Sequence, residues 1–207
     1  MKITNPLPNS RLKKYPFGNI YQYFGVNGLY YGRLGLLGHN GLDIATYYGD
    51  EVRSAHNGKV AGVYYNPTLG GQVISITGYE RFIMDGQECV LHSVYGHLIK
   101  DSQKVKVGDI VQMGQAIGLE GNTGFVISGG IPYWGNAPNT IGTHLHLGLY
   151  VVKTSNWQFL YPENGFKGAV DPLRFLETDE QEKINAMKEI LDNAKWLLNN
   201  MLNKLRK

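Results

Sequence analysis

Three short runs hold the side chains able to do chemistry. In His39-Asn40-Gly41-Leu42-Asp43 an imidazole and a carboxylate stand four residues apart. On a helix the two would share a face. Gly41 interrupts that reading, and Asp43-Ile44-Ala45 begins a strand-like run, so the spacing predicts a loop entering a strand, with the two side chains converging across a turn. His144-Leu145-His146 is followed by Leu147-Gly148-Leu149-Tyr150, which predicts a strand. Residues i and i+2 of a strand share a face, so both imidazoles look one way and Leu145 and Leu147 the other. Two neutral imidazoles side by side suit a zinc ion at Zn–N distances of about 2.0–2.1 Å; the alternative to metal binding or catalysis is a pair of exposed or hydrogen-bonded histidines. The third run, Tyr95-Gly96-His97-Leu98, closes a strand that begins near Cys89. His56, beside Asn57-Gly58, and His92, of opposite strand parity to His97, read as structural. Cys89 is the only cysteine, so no intrachain disulfide exists, and it reads as a small core residue rather than a nucleophile.

The elements that must position these runs are mostly strands. The 207 residues suffice for one domain with a proper core plus a small appendage. Twenty-seven glycines and fourteen tyrosines favour short strands joined by tight turns. The runs 52–55, 59–65, 72–77, 81–84, 89–95 and 115–119 are rich in β-branched or aromatic residues. Asn57-Gly58, Gly70-Gly71, Asp85-Gly86 and Gly108-Asp109 separate them, which predicts a mainly β fold with an antiparallel sheet or barrel-like sandwich. The segment from Asn122 to Thr143 breaks the rhythm. It has no clear period, and a connection of that length without structure of its own is usually functional or mobile. The net charge of +3 gives slight attraction to polyanions but is far from the basic stripe of a nucleic-acid binder.

Asp171-Pro172 predicts a helix start, with Asp as N-cap and Pro first in the helix. Thr178-Asp179-Glu180-Gln181 then matches a capping box. Ile184, Met187, Ile190, Leu191, Ala194, Leu197, Leu198, Met201, Leu202 and Leu205 recur at helical spacing, which predicts a long C-terminal amphipathic α-helix of about seven turns. Its apolar stripe either packs on the β-domain or serves self-association or docking to a partner.

Taken together and in order, these elements resemble the lysostaphin/LytM-type zinc endopeptidases, metallopeptidase family twenty-three. Phe24-Gly25 and Tyr31-Gly32-Arg33 lead into the His39–Asp43 run, followed by Asn57-Gly58-Lys59-Val60 and Tyr95-Gly96-His97-Leu98. Val107 to Val111, Gly114 to Gly118, Gly121-Asn122-Thr123-Gly124 and His144-Leu145-His146 complete the set, over roughly residues 20–175. The resemblance implies an antiparallel core of the duplicated-hybrid-motif type. It implies one zinc per chain held by His39, Asp43 and His146, with His97 and His144 catalytic and a zinc-activated water as nucleophile. His97 and His144 would stand in for the glutamate base that a His-Glu-X-X-His motif, absent here, would supply; which of them takes the proton stays open. Tyr31 and Arg33 are candidate donors to substrate or oxyanion. The stretch Phe125 to Gly142, with Tyr133, Trp134 and Asn136, departs from the family pattern and is expected to rim the groove near the metal.

The division that follows is an irregular lead-in over 1–20, a zinc peptidase domain over 21–176 and the helix over 177–207. The implied substrate is the peptide part of bacterial peptidoglycan, cut in a stem crosslink or an interpeptide bridge. The rival readings are a binding module on the same fold and a component of a phage particle that carries a peptidase domain. The N-terminal run has no apolar stretch of secretory type, and no run is long enough to span a membrane. Action on the cell wall would then follow cytoplasmic synthesis with later release, phage-associated delivery, or removal of a leader.

Overall fold

The β-branched and aromatic runs fold as antiparallel strands. The computed structural model describes residues 1–7, 19–45, 47–128, 131–135 and 140–176, with Leu191 and Lys195. The chain divides into two units, Met1–Glu177 and Thr178–Lys207. Of the second, Leu191 and Lys195 are helical and exposed, and the rest of the amphipathic stripe lies outside the described residues.

In the first unit the strands are β1 (Asn19–Gln22), β2 (Leu42–Ala45), β3 (Glu51–Arg53), β4 (Gly58–Asn66), β5 (Gly71–Gly78), β6 (Phe82–Met84), β7 (Gln87–Leu98), β8 (Ile110–Val111), β9 (Ala116–Leu119), β10 (Val126–Ser128), β11 (Ile131–Tyr133) and β12 (Leu145–Lys153). One eight-stranded sheet runs β1-β2-β12-β7-β5-β4-β8, with β6 also paired to β7. Two ribbons, β3–β9 and β10–β11, stand apart from it. One short helix, α1 (Gly28–Tyr31), continues into a 3-10 turn over Gly32–Leu34. A second 3-10 turn, Pro172–Arg174, starts where Asp171-Pro172 predicted a helix, and Asp171 Oδ1 accepts from Leu173 N at 3.0 Å.

β7 is the spine. It pairs with β12 over eight residues, from Lys153↔Cys89 to His146↔Gly96, and with β5 on its other side. Ile74, Ile76, Leu91, Leu98, Leu145, Leu147 and Leu149 are fully buried around it. Tyr95 is fully buried too, and its hydroxyl is satisfied: Ala55 N and Ser93 Oγ donate to it at 2.8 and 3.1 Å. The Asp85-Gly86 signal is a two-residue hairpin between β6 and β7 with both φ positive, at 48° and 73°, as a type I′ turn requires. Ile3 and Leu7 belong to the same core, and Ile3 N donates to Phe175 O at 2.8 Å.

The 122–143 segment has structure of its own, the β10–β11 hairpin paired Val126↔Tyr133, Ile127↔Pro132 and Ser128↔Ile131. Its strands are three residues long and one contains proline, which a ribbon edge tolerates because no ladder donor is needed there. Neither feature gives a readable period.

Candidate metal centre

The site is assembled by sheet register. β2, β12 and β7 lie side by side, and Asp43 is the direct cross-strand partner of His146, which in turn faces Gly96. His97 follows Gly96, and His144 immediately precedes β12. His39 reaches the same point from the loop before β2, as the turn between it and Asp43 predicted. Its backbone is held by Gly25 N donating to His39 O at 2.8 Å and His39 N donating to Val26 O at 2.9 Å.

Three atoms converge there. His39 Nε2 lies 3.1 Å from Asp43 Oδ1 and 3.1 Å from His146 Nδ1, and His146 Nδ1 lies 3.0 Å from Asp43 Oδ1. The triangle is nearly equilateral. Its edges approach the ~3.3 Å separation of two ligands on a tetrahedral zinc with bonds of about 2.0–2.1 Å. Hydrogen positions follow from the partners. His39 Nδ1 lies 3.3 Å from Tyr23 O, an acceptor, so a neutral His39 turns a lone pair on Nε2 toward the carboxylate. Electron-rich atoms that face one another in this way fit a cation between them. His39 and Asp43 are buried, and among the described residues this is the group of three that could hold a metal ion.

Two more imidazoles flank the triangle. His97 Nδ1 donates to Thr123 O at 2.7 Å and His144 Nδ1 donates to Gly142 O at 2.8 Å, which leaves Nε2 of each as a free lone pair in the neutral ring. Their ring centroids are 4.4 Å apart, and His144 Nε2 lies 3.8 Å from Asp43 Oδ1. Burial, with His144 and His146 close by, brings His97 down to about 3. Burial also lowers His146. For Asp43 burial pushes upward, but His144, His39 and His146 outweigh it and hold the carboxyl well below its ordinary range. At neutral pH Asp43 is therefore a carboxylate and His146 a neutral imidazole, the protonation that metal ligation requires of each.

The other sequence candidates fall differently. The Tyr31 ring sits 5.3 Å from that of His39, and burial together with Asp43 raises its phenol, so it keeps its proton at neutral pH. Arg33 is exposed on the 3-10 turn, and the structure gives it no contact with the triangle. Tyr133 is half-buried, and Trp134 is exposed with its ring 5.2 Å from Phe125. Asn136 lies outside the described residues. The insert returns to the site, since His144 N donates to Gly121 O at 3.1 Å. The carbonyls of Tyr23, Thr123 and Gly142 were not legible, because every residue carries one and only the fold selects which faces an imidazole. His56 and His92 lie away from the triangle and pair with Asn57 O and Thr77 Oγ1.

The sequence profile of Peptidase family M23 matches residues 37–158. No curated protein matches significantly. Among solved structures, LytU is 32% identical over 66% of this chain and 71% of its own, with a TM-score of 0.43. The catalytic domain of the antimicrobial peptidase lysostaphin from Staphylococcus simulans is 26% identical over 76% of this chain and 89% of its own, with a TM-score of 0.47. A zinc-containing peptidase from Vibrio cholerae is 27% identical over 68% of this chain, with a TM-score of 0.43, and the match spans 30% of that longer chain.

Proposed function

The chain belongs to peptidase family M23, and on that premise we propose that it is a zinc metalloendopeptidase that hydrolyses peptide bonds of bacterial peptidoglycan, with a sheet of the duplicated-hybrid-motif type as scaffold. The observation that carries the metal part is the triangle of His39 Nε2, Asp43 Oδ1 and His146 Nδ1 at 3.0–3.1 Å. Those three residues would hold one zinc, and three protein ligands leave a coordination position open. Zinc bound there supplies Lewis acidity toward a water and toward the scissile carbonyl.

The chain's own residues supply the rest. His97 and His144, each with Nδ1–H given to a backbone carbonyl, turn Nε2 inward to take a proton from the attacking water and return one to the leaving amine. Tyr31, kept protonated, is a donor toward the oxyanion. Arg33, on its 3-10 turn, and Tyr133 and Trp134, at the end of β11, are proposed to contact substrate. The cell wall is the proposed place of action.

Metal analysis and turnover of purified peptidoglycan test this reading together. His146→Ala should lose zinc. His97→Ala and His144→Ala should keep zinc and lose at least about a hundredfold in rate, the scale of a general acid–base group. Full zinc in His146→Ala would remove that residue from the site, and zinc loss in either of the others would reassign it. Zinc-loaded protein that releases no fragments from any peptidoglycan would overturn the enzymatic reading.

A further inference from the structure

Resting on the reading that His97 moves a proton, we propose that Thr123 is the residue that positions it. His97, next to last in β7, has a left-handed backbone conformation, φ 63°, which non-glycine residues rarely adopt. Such a residue persists only where its surroundings over-determine it. Here Gly70 O accepts from His97 N at 2.6 Å, the ring lies beside those of His144 and His146, and Thr123 adds the hydrogen bond to the ring.

Thr123 acts at two points. Its carbonyl accepts from His97 Nδ1 at 2.7 Å, which fixes both the tautomer and the ring plane. Its hydroxyl donates to Leu98 O at 2.6 Å and accepts from Gln72 N at 2.8 Å. Gln72 and Leu98 are ladder partners of β5 and β7, at the place where the register of that pair shifts. The Thr123 hydroxyl therefore stands between two strands as a splice, and the carbonyl it holds belongs to Leu98, the residue that follows His97. The side chain is buried, 3% exposed, so no water competes for either bond. Without the hydroxyl, Gln72 N and Leu98 O must approach each other or stay unpaired. Either outcome shifts the residue whose neighbour is His97, while neither bond involves His39, Asp43 or His146.

Thr123→Val keeps the shape and removes the hydroxyl, and Thr123→Ser keeps the hydroxyl. In zinc-loaded, full-length protein acting on soluble crosslinked peptidoglycan fragments, Thr123→Val should lower kcat by about tenfold to a hundredfold, the cost of misplacing a reacting group by an ångström or less. KM and zinc content should not change, and Thr123→Ser should restore the rate. Ser93→Ala, which removes a buried bond from the same strand, should lower stability and spare kcat. Nitrogen-15 spectra of the imidazoles should show a His97 Nδ1–H signal in the wild type, identified by its absence in His97→Ala, and its loss or broadening in Thr123→Val. A Thr123→Val enzyme with wild-type kcat overturns the proposal. So does a wild-type His97 protonated at Nε2, a measurement that holds even if Thr123→Val fails to fold. If His97→Ala keeps full activity, the acid–base reading itself has failed rather than the positioning role.

Discussion

At the residue scale the histidines sort by which nitrogen the backbone takes. His39, His97 and His144 each turn Nδ1 to a main-chain carbonyl, and Nε2 of His39 and His144 faces Asp43, whereas His146 presents Nδ1 itself. That exception needs room beside its ring, and Gly41 provides it. A Cβ at position 41 would lie 2.6 Å from His146 Cε1 and 2.7 Å from Leu147 O, and the second of these is backbone that cannot swing away. Gly41→Ala should therefore tilt the His146 ring or open the β2–β12 edge. The expected result is at least about a tenfold weaker zinc affinity, as for other changes that misorient a metal ligand, measured by competition with a chromogenic chelator. Unchanged affinity would mean that the ring does not need the space. The sequence displayed Gly41 between His39 and Asp43, and their convergence across a turn could be read from it. The contact between Gly41 and a ring 105 positions further on could not, because spacing along the chain says nothing of which strand becomes the neighbour.

At the element scale the same limit decided what was legible. Periodicity located β4, β5, β6, β7 and β9 within a few residues, since each alternates or concentrates β-branched side chains. It did not give the order β2-β12-β7, which brings Asp43, His146 and His97 together and is set by core packing between distant segments. It also missed the β10–β11 hairpin, whose strands are too short to show a period. The pairing of β5 with β7 carries a pH consequence away from the metal. On it Thr77 Oγ1 meets His92 Nδ1 at 2.9 Å, and burial, together with the neighbouring His56, lowers His92 from 6.5 to about 4. Between those two values the unfolded chain binds more protons than the folded one, so stability rises with pH across that window and falls as pH drops from about 6.5 to about 4. The part due to His92 is on the order of 3 kcal/mol at about 1.4 kcal/mol per unit. Urea unfolding at pH 7, 6, 5 and 4 should show a steep loss in the wild type and a shallower one in His92→Gln. Parallel slopes would mean that His92 ionises alike in both states. His56 shares the direction of shift, so some slope should survive the substitution.

At the scale of the whole molecule, the first unit closes on itself. Ile3 bridges Leu176 in parallel, Ile3 N donates to Phe175 O, and Ile3 and Leu176 are fully buried. Every residue proposed for the site lies between Tyr31 and His146, inside the unit Met1–Glu177. Deleting residues 178–207 should therefore leave a folded protein with full zinc and unchanged turnover of peptidoglycan fragments. The apolar stripe from Ile184 to Leu205 belongs to the removed segment, and a stripe that long must cover one face with something. The proposed cover is a second copy of the chain or another partner. If copies pair through it, light scattering should give the full-length protein a mass above that of one chain, while the truncated protein is monomeric. A monomeric full-length protein whose truncation melts earlier, or aggregates through newly exposed apolar surface, would put the stripe against its own β unit and end the association proposal. The metal assignment stands in either case, because zinc content of the truncated protein reports on residues 39, 43 and 146 alone.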